Sequence, residues 1–194
     1  MGMNVVVVYH SGYGHTKNVA EAVAIGIEQV DGVVAQKVPI DVQGDIDAAA
    51  WNALDAADAI VFGTPTYMGC VSWQFKKFAE DSSKRWFQLK WKDKLAAGFT
   101  NSASMNGDKH STIAYLMTLA MQHGMVWLGT GLMPANNKAS DRDDINYLGA
   151  FSGLMAQSPA DADANDAPTK GDIETAKLYG ERVAQWAKKL GSVG

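Results

Sequence analysis

The chain has 194 residues, 47% of them hydrophobic and 20% charged, which suits one globular domain with a sizeable core. Its formal charge of -4 argues against nonspecific nucleic-acid binding, which draws on basic surface, and no apolar run is long enough to span a bilayer. A single cysteine, Cys70, excludes an internal disulfide and a CxxC redox pair. The start lacks a basic n-region followed by an apolar h-region, so a cytoplasmic location is expected.

Strand-like and helix-like segments alternate along the chain. Residues 4–10 read as a first strand and 17–30 as a helix, with Ala20, Val23, Ala24 and Ile27 on one face. A second strand at 33–38 ends near Pro39, and 48–57 is a short helix. A third strand at 59–63 leads to a helix at 72–83 and an irregular Trp- and Lys-rich stretch at 84–92. A fourth strand at 94–100 precedes a helix at 111–123, which stops at Gly124, a common C-terminal glycine. Residues 125–129 read as a fifth strand. The segment 132–171 is rich in Asn, Asp, Ala and Pro. Within it, 158–170 reads as exposed loop whose Asp161, Asp163 and Asp166 form a solvated acidic rim and not a metal site. The last helix spans 172–191 with Asp172 as N-cap. Ile173, Ala176, Gly180, Val183, Ala187 and Leu190 make its core stripe, with Tyr179 and Trp186 beside them. No repeat and no second-domain boundary appears, so 1–194 is read as one domain.

Such alternation implies an α/β fold with a parallel sheet covered on both faces. Ligands in such sheets bind at the carboxyl ends of the strands, at the switch point. Three polar, glycine-bearing loops fall there, at 11–16, 64–71 and 101–109. In the first, Ser11-Gly12-Tyr13-Gly14-His15-Thr16 joins an apolar strand to a helix start. It presents backbone N–H groups and two hydroxyls at the positive end of a helix dipole, with only Lys17 as a nearby cation. The loop reads either as an anion site built from neutral dipoles or as a plain capped turn. It departs from GxGxxG, because the third glycine position is Lys17, and from the Walker A pattern. In the second loop, Gly63-Thr64-Pro65-Thr66-Tyr67-Met68-Gly69-Cys70, backbone amides can turn outward beside an apolar wall of Tyr67 and Met68. Cys70 reads as a small buried hydrophobe. The third loop, Asn101-Ser102-Ala103-Ser104-Met105-Asn106-Gly107, offers hydroxyls and amides suited to a ribityl chain.

Among the tryptophans, Trp51 and Trp127 read as core, and Trp86 and Trp91 as partly exposed. His123 reads as a helix-capping residue or a site residue. His10, His15 and His110 lack metal-ligand spacing. GxSxG is absent, so no nucleophile elbow is expected.

Taken together, Ser11-Gly12-Tyr13-Gly14-His15-Thr16, Gly63-Thr64-Pro65-Thr66, Leu119-Ala120 with His123-Gly124-Met125-Val126, and Ala176-Lys177-Leu178-Tyr179-Gly180-Glu181 resemble the WrbA-type, flavodoxin-like, FMN-dependent NAD(P)H:quinone oxidoreductases over nearly the whole chain. The resemblance implies a three-layer sandwich with a five-stranded parallel sheet in the order 2-1-3-4-5, with FMN between the first and third strands. It implies that Ser11, Gly12, Tyr13, Gly14, His15 and Thr16 hold the phosphate. Pro65, Thr66, Tyr67, Met68 and Gly69 would border the isoalloxazine. Ser102, Ala103, Ser104, Met105, Asn106 and Gly107 would meet the flavin and ribityl chain, with His123 over the cofactor. Tyr13 and Trp86 match positions used near the nicotinamide or quinone. NAD(P)H is the implied co-substrate, a quinone the acceptor, and a tetramer or dimer the assembly. The cofactor carries the chemistry, so no protein catalytic residue and no metal is expected. The chain departs from the family pattern in three places. The third loop carries Ala103, Met105 and Asn106 in place of a Thr/Gly-rich run. Tyr67-Met68 replaces an Arg-Phe pair, removing a charge near the ring. The segment before the last helix is Ala/Asp-rich. A one-electron carrier flavodoxin is the alternative reading, and a flavin-free protein that keeps the fold is a third.

Overall fold

The computed structural model describes residues 2–192. Four valines in succession make β1 (Met3–Tyr9) the buried spine of the sheet. β-Branched side chains suit a pleated strand with both faces covered. Val5, Val7 and Tyr9 face one layer of helices, while Val6 and Val8 face the other. β1 pairs in parallel with β2 (Val33–Pro39) and with β3 (Ala59–Tyr67). β3 pairs in parallel with β5 (Leu95–Ser102). Between them, Cys70–Val71 folds back as β4, antiparallel to the end of β3.

The far edge is split. β6 (Val126–Trp127) pairs with the start of β5, and β7 (Leu154–Gln157) continues the same edge beside Phe99–Ser102. Counting the parallel strands, the order β2-β1-β3-β5-β6 is the expected 2-1-3-4-5. The sequence reading had one unbroken strand at 125–129 and no strand within 132–171. The chain instead leaves the edge after Trp127 and returns to it at Leu154. Four residues of mixed polarity carry too little pattern to mark β7 beforehand.

α1 (His15–Glu28) and α6 (Lys170–Gly191) cover one face. α2 (Ala48–Ala56), α3 (Trp73–Asp81) and α5 (Lys109–Gln122) cover the other, with the short α4 (Ser83–Phe87) following α3. Two helices begin on side-chain caps: Asp47 accepts from Ala50 N at 2.7 Å and Ser72 from Phe75 N at 3.3 Å. Asp172 is not a cap, because α6 starts after Thr169. Its buried carboxylate instead accepts from the two terminal nitrogens of Arg142, at 3.2 and 2.8 Å, and from Gln157 N at 2.8 Å. Several donors offset the cost of burying a carboxylate.

Three further expectations are corrected. Trp91 is fully buried: its indole donates to Asp55 Oδ1 at 3.0 Å and its ring lies against Trp51, Phe62 and His123. The turn after α4 folds back under α2, and the indole finds its acceptor there. Cys70 is exposed, because β4 is an edge hairpin. Trp186 and Leu190 are also exposed: Val183, Ala184 and Ala187 form the buried face of α6, and the Trp186 ring lies with Arg182 and Lys189 instead.

Candidate functional site

β1, β3 and β5 end side by side, so the loops that follow them open together at one edge of the sheet. A cavity of about 570 Å³ lies among them, lined by Tyr13, Thr16, Pro65, Thr66, Tyr67, Asn101, Ser102 and Ala103, and closed by 158–164. That volume is within the range of small-molecule sites.

The first loop ends at Gly14, the N-cap of α1, with φ of 92° and no side-chain cap. Ser11 Oγ accepts from Lys17 N at 3.1 Å, which leaves the preceding first-turn N–H groups for an outside acceptor. Gly14 is favoured by space as well as by backbone, and Gly12 by space alone. A Cβ on Gly12 would stand 2.5 Å from the Tyr67 hydroxyl, and one on Gly14 would stand 2.8 Å from Ala164 Cβ.

The second loop is fixed from below. Thr66 Oγ1 meets Thr100 Oγ1 at 2.7 Å and Thr112 Oγ1 at 2.8 Å, all buried. Ser72 N donates to Thr64 Oγ1 at 3.2 Å. The Tyr67 ring stands edge-on to Tyr13, with centroids 6.2 Å apart and planes at 75°. Met68 and Gly69 turn the hairpin with φ of 47° and 76°, and Met68 is fully exposed.

The third loop is held by Lys109, the first residue of α5. Its ammonium donates to Ser102 Oγ at 2.8 Å, Ser104 O at 2.6 Å and Met105 O at 2.9 Å. Burial pushes this lysine down to about 8. From the other side Gln157 Nε2 donates to Ala103 O at 2.7 Å.

A fourth wall escaped sequence reading. Residues 158–164 cross in front of the first loop, tied by His15 Nε2 donating to Ala162 O at 3.1 Å and Asn18 Nδ2 donating to Ala164 O. Ser158 Oγ donates to Asn101 Oδ1 at 3.0 Å. Asp161, Asp163 and Asp166 are exposed as expected, yet Asp163 also lines the cavity. Polarity alone read this stretch as loop; the contacts that make it a wall join residues far apart in sequence.

The chain matches a family model described as NADPH-dependent FMN reductase over residues 3–139. The chain belongs to that family. One relative, from Pseudomonas aeruginosa, is named flavodoxin FldP and is 55% identical over 95% of this chain and 97% of its own. Another, from Geobacter sulfurreducens, is named NAD(P)H dehydrogenase (quinone). It is 34% identical over 97% of this chain and 99% of its own. A solved structure from Agrobacterium tumefaciens, described as a flavodoxin, WrbA-like protein, superposes with a TM-score of 0.76. It is 50% identical and covers 97% of this chain and 99% of its own. Membership in the WrbA-type group, expected from the motifs, is thereby shown. The matched span of the FMN-reductase family model stops before the fourth wall.

Not every residue singled out in the sequence reaches the cavity. Tyr13, His15, Thr16, Pro65, Thr66, Tyr67, Ser102 and Ala103 line it. Ser11, Gly12 and Gly14 shape the loop behind it, and Met68, Gly69, Ser104, Met105, Asn106 and Gly107 lie in the loops that frame it. His123 does not join them. It follows α5, which runs back to the opposite end of the sheet, next to Val126 at the start of β5. Trp86, on α4, lines the same distant groove as His123. Both positions rested on the resemblance, and neither reaches the cavity of its own chain. Among the described residues no group of three or more His, Cys, Asp or Glu side chains could hold a metal, and no helix is long and apolar enough to cross a membrane.

Proposed function

We propose that the cavity holds FMN and that the protein passes reducing equivalents from NAD(P)H to a quinone. One observation carries this reading: uncapped N–H groups of α1, two polar loops and a tyrosine wall converge on one cavity at the carboxyl ends of β1, β3 and β5. The residues fit the cofactor. Gly12 and Gly14 keep the phosphate loop free of Cβ atoms where Tyr67 and Ala164 approach. The first turn of α1 and the Ser11 and Thr16 hydroxyls provide neutral donors for a phosphate. Thr66, locked by Thr100 and Thr112, gives the ring edge a rigid border. When bound, FMN supplies the hydride and electron chemistry.

The chain's own part is binding and orientation. Tyr67 walls the ring, and exposed Tyr13 offers a flat face against which a nicotinamide or quinone can stack. The two substrates would use this open face in turn, so initial-rate plots at varied quinone should be parallel. The relative named a flavodoxin, at 55% identity, favours a second reading, an FMN-bearing electron carrier. A dimer or tetramer is proposed as the assembly, since exposed Trp86 could meet a cavity only on another copy.

The test is to load the protein with FMN and follow NADH or NADPH oxidation with and without benzoquinone. FMN-dependent, quinone-stimulated turnover is expected. Bound FMN without turnover would favour the carrier, and failure to take up FMN would overturn both.

A further inference from the structure

Lysine is an unexpected residue at the position of Lys109. A cation in the first turn of a helix opposes the helix dipole, and burying an ammonium is costly unless every proton is used. Lys109 is 1% exposed, and its three protons go to Ser102 Oγ, Ser104 O and Met105 O. All three acceptors belong to the loop that frames the cavity. The backbone is bent to allow it. Gly107 and Asp108 take φ of 56° and 52° in succession, turning the chain so that the lysine reaches back under its own loop. A Cβ on Gly107 would overlap Ser102 Oγ.

We propose that Lys109 is the positioning residue of the third loop, its ammonium holding residues 102–107 in the shape that receives the flavin. The inference rests on the FMN reading above. It accounts for how a loop of Ala103, Met105 and Asn106 keeps a defined form at the cavity rim, where Ser102 and Ala103 line the wall. The charged groups around the lysine are Asp172 on α6 and Arg142 from the segment before β7, which engage each other, with exposed Asp108 and His110 flanking it in the chain. A neutral amine would keep two of the three donated bonds. Flavin binding should therefore weaken as pH rises through the range in which this lysine gives up its proton.

The experiment is titration of FMN and of riboflavin, read by quenching of flavin fluorescence, from pH 6.5 to 9.5. It uses the wild type and Lys109→Met, a chain of similar length that cannot donate. The variant is expected to bind both flavins about tenfold more weakly or worse, the scale of losing bonds from a charged donor. Wild-type affinity should fall as pH passes about 8, while the variant's profile stays flatter; the flavin's own ionisation is common to both. Unchanged affinity with parallel profiles would overturn the proposal. So would a loss for FMN but not riboflavin, which would make the lysine a remote charge on the phosphate. If Lys109→Met does not fold, the wild-type profile decides alone: a flat one overturns the proposal. A wild type that binds neither flavin overturns the FMN reading, and this inference falls with it.

Discussion

His123 shows how far a single residue's role depends on its surroundings. Its Nε2 donates to Ser82 Oγ at 2.9 Å, and that hydroxyl donates to Ala79 O at 2.6 Å. Its Nδ1 has no partner, and the ring lies against Trp91 with centroids 4.3 Å apart. Burial without a carboxylate lowers this histidine to about 4. The unfolded imidazole takes its proton near 6.5, the folded one only near 4, so stability is lost as pH falls through that window. The loss should amount to a few kcal/mol by pH 4. Urea denaturation of wild type and His123→Gln at pH 7.5 and pH 5 checks this, with the wild type losing more than the variant. Equal losses would mean the imidazole is protonated while folded. At this scale sequence reading was weakest. It named His123, Cys70 and Trp91, but the environment of each depends on side chains from distant parts of the chain. Lys109 was missed because a lone lysine at a helix start gives no signal of three acceptors waiting in the preceding loop.

Elements were far more legible. The apolar spacing in α1 marked Ala20, Val23, Ala24 and Ile27, and all four are buried. Periodicity did not mark why α1 can lie so close to α6. Gly26 faces the Lys177 carbonyl and Gly180 faces the Val23 carbonyl, each so near that a Cβ would overlap backbone. Two helices meeting backbone to backbone cannot absorb a methyl by rotating a side chain. Gly26→Ala should therefore cost about 1–3 kcal/mol or more, despite alanine's better helix propensity. Thermal unfolding should show a lower midpoint; a raised one would mean the crossing can open. Where an element was misjudged, its pattern was too short. The edge strand is shared by Val126–Trp127 and Leu154–Gln157, and neither piece is long enough to display a period of two.

On the scale of the whole molecule, the surface carries large apolar groups away from the cavity. Trp86 and Phe87 on α4, and Leu89, Met121 and Val126, are all exposed. Trp86 lines a groove of about 500 Å³ between α3, α4 and α5. Exposed aromatic side chains of this kind are enriched where subunits meet. Light scattering is expected to give a mass of two or four times the 20.8 kDa chain, and Phe87→Ser should shift it downward. A wild-type mass of one chain would remove the case for assembly.

Alone, the sequence determined the alternation of strands and helices, the parallel sheet it implies, the edge where ligands bind and three of the loops there. Those follow from local periodicity and from glycine, proline and hydroxyl chemistry, which act over a few residues. The tertiary structure decided the rest: the fourth wall at 158–164, the buried lysine under the third loop, the hydroxyl cluster beneath Thr66, and the distance of Trp86 and His123 from the cavity. Each is a contact between segments far apart in the chain. Its energy depends on where the packed layers bring those segments together, and no local pattern encodes that.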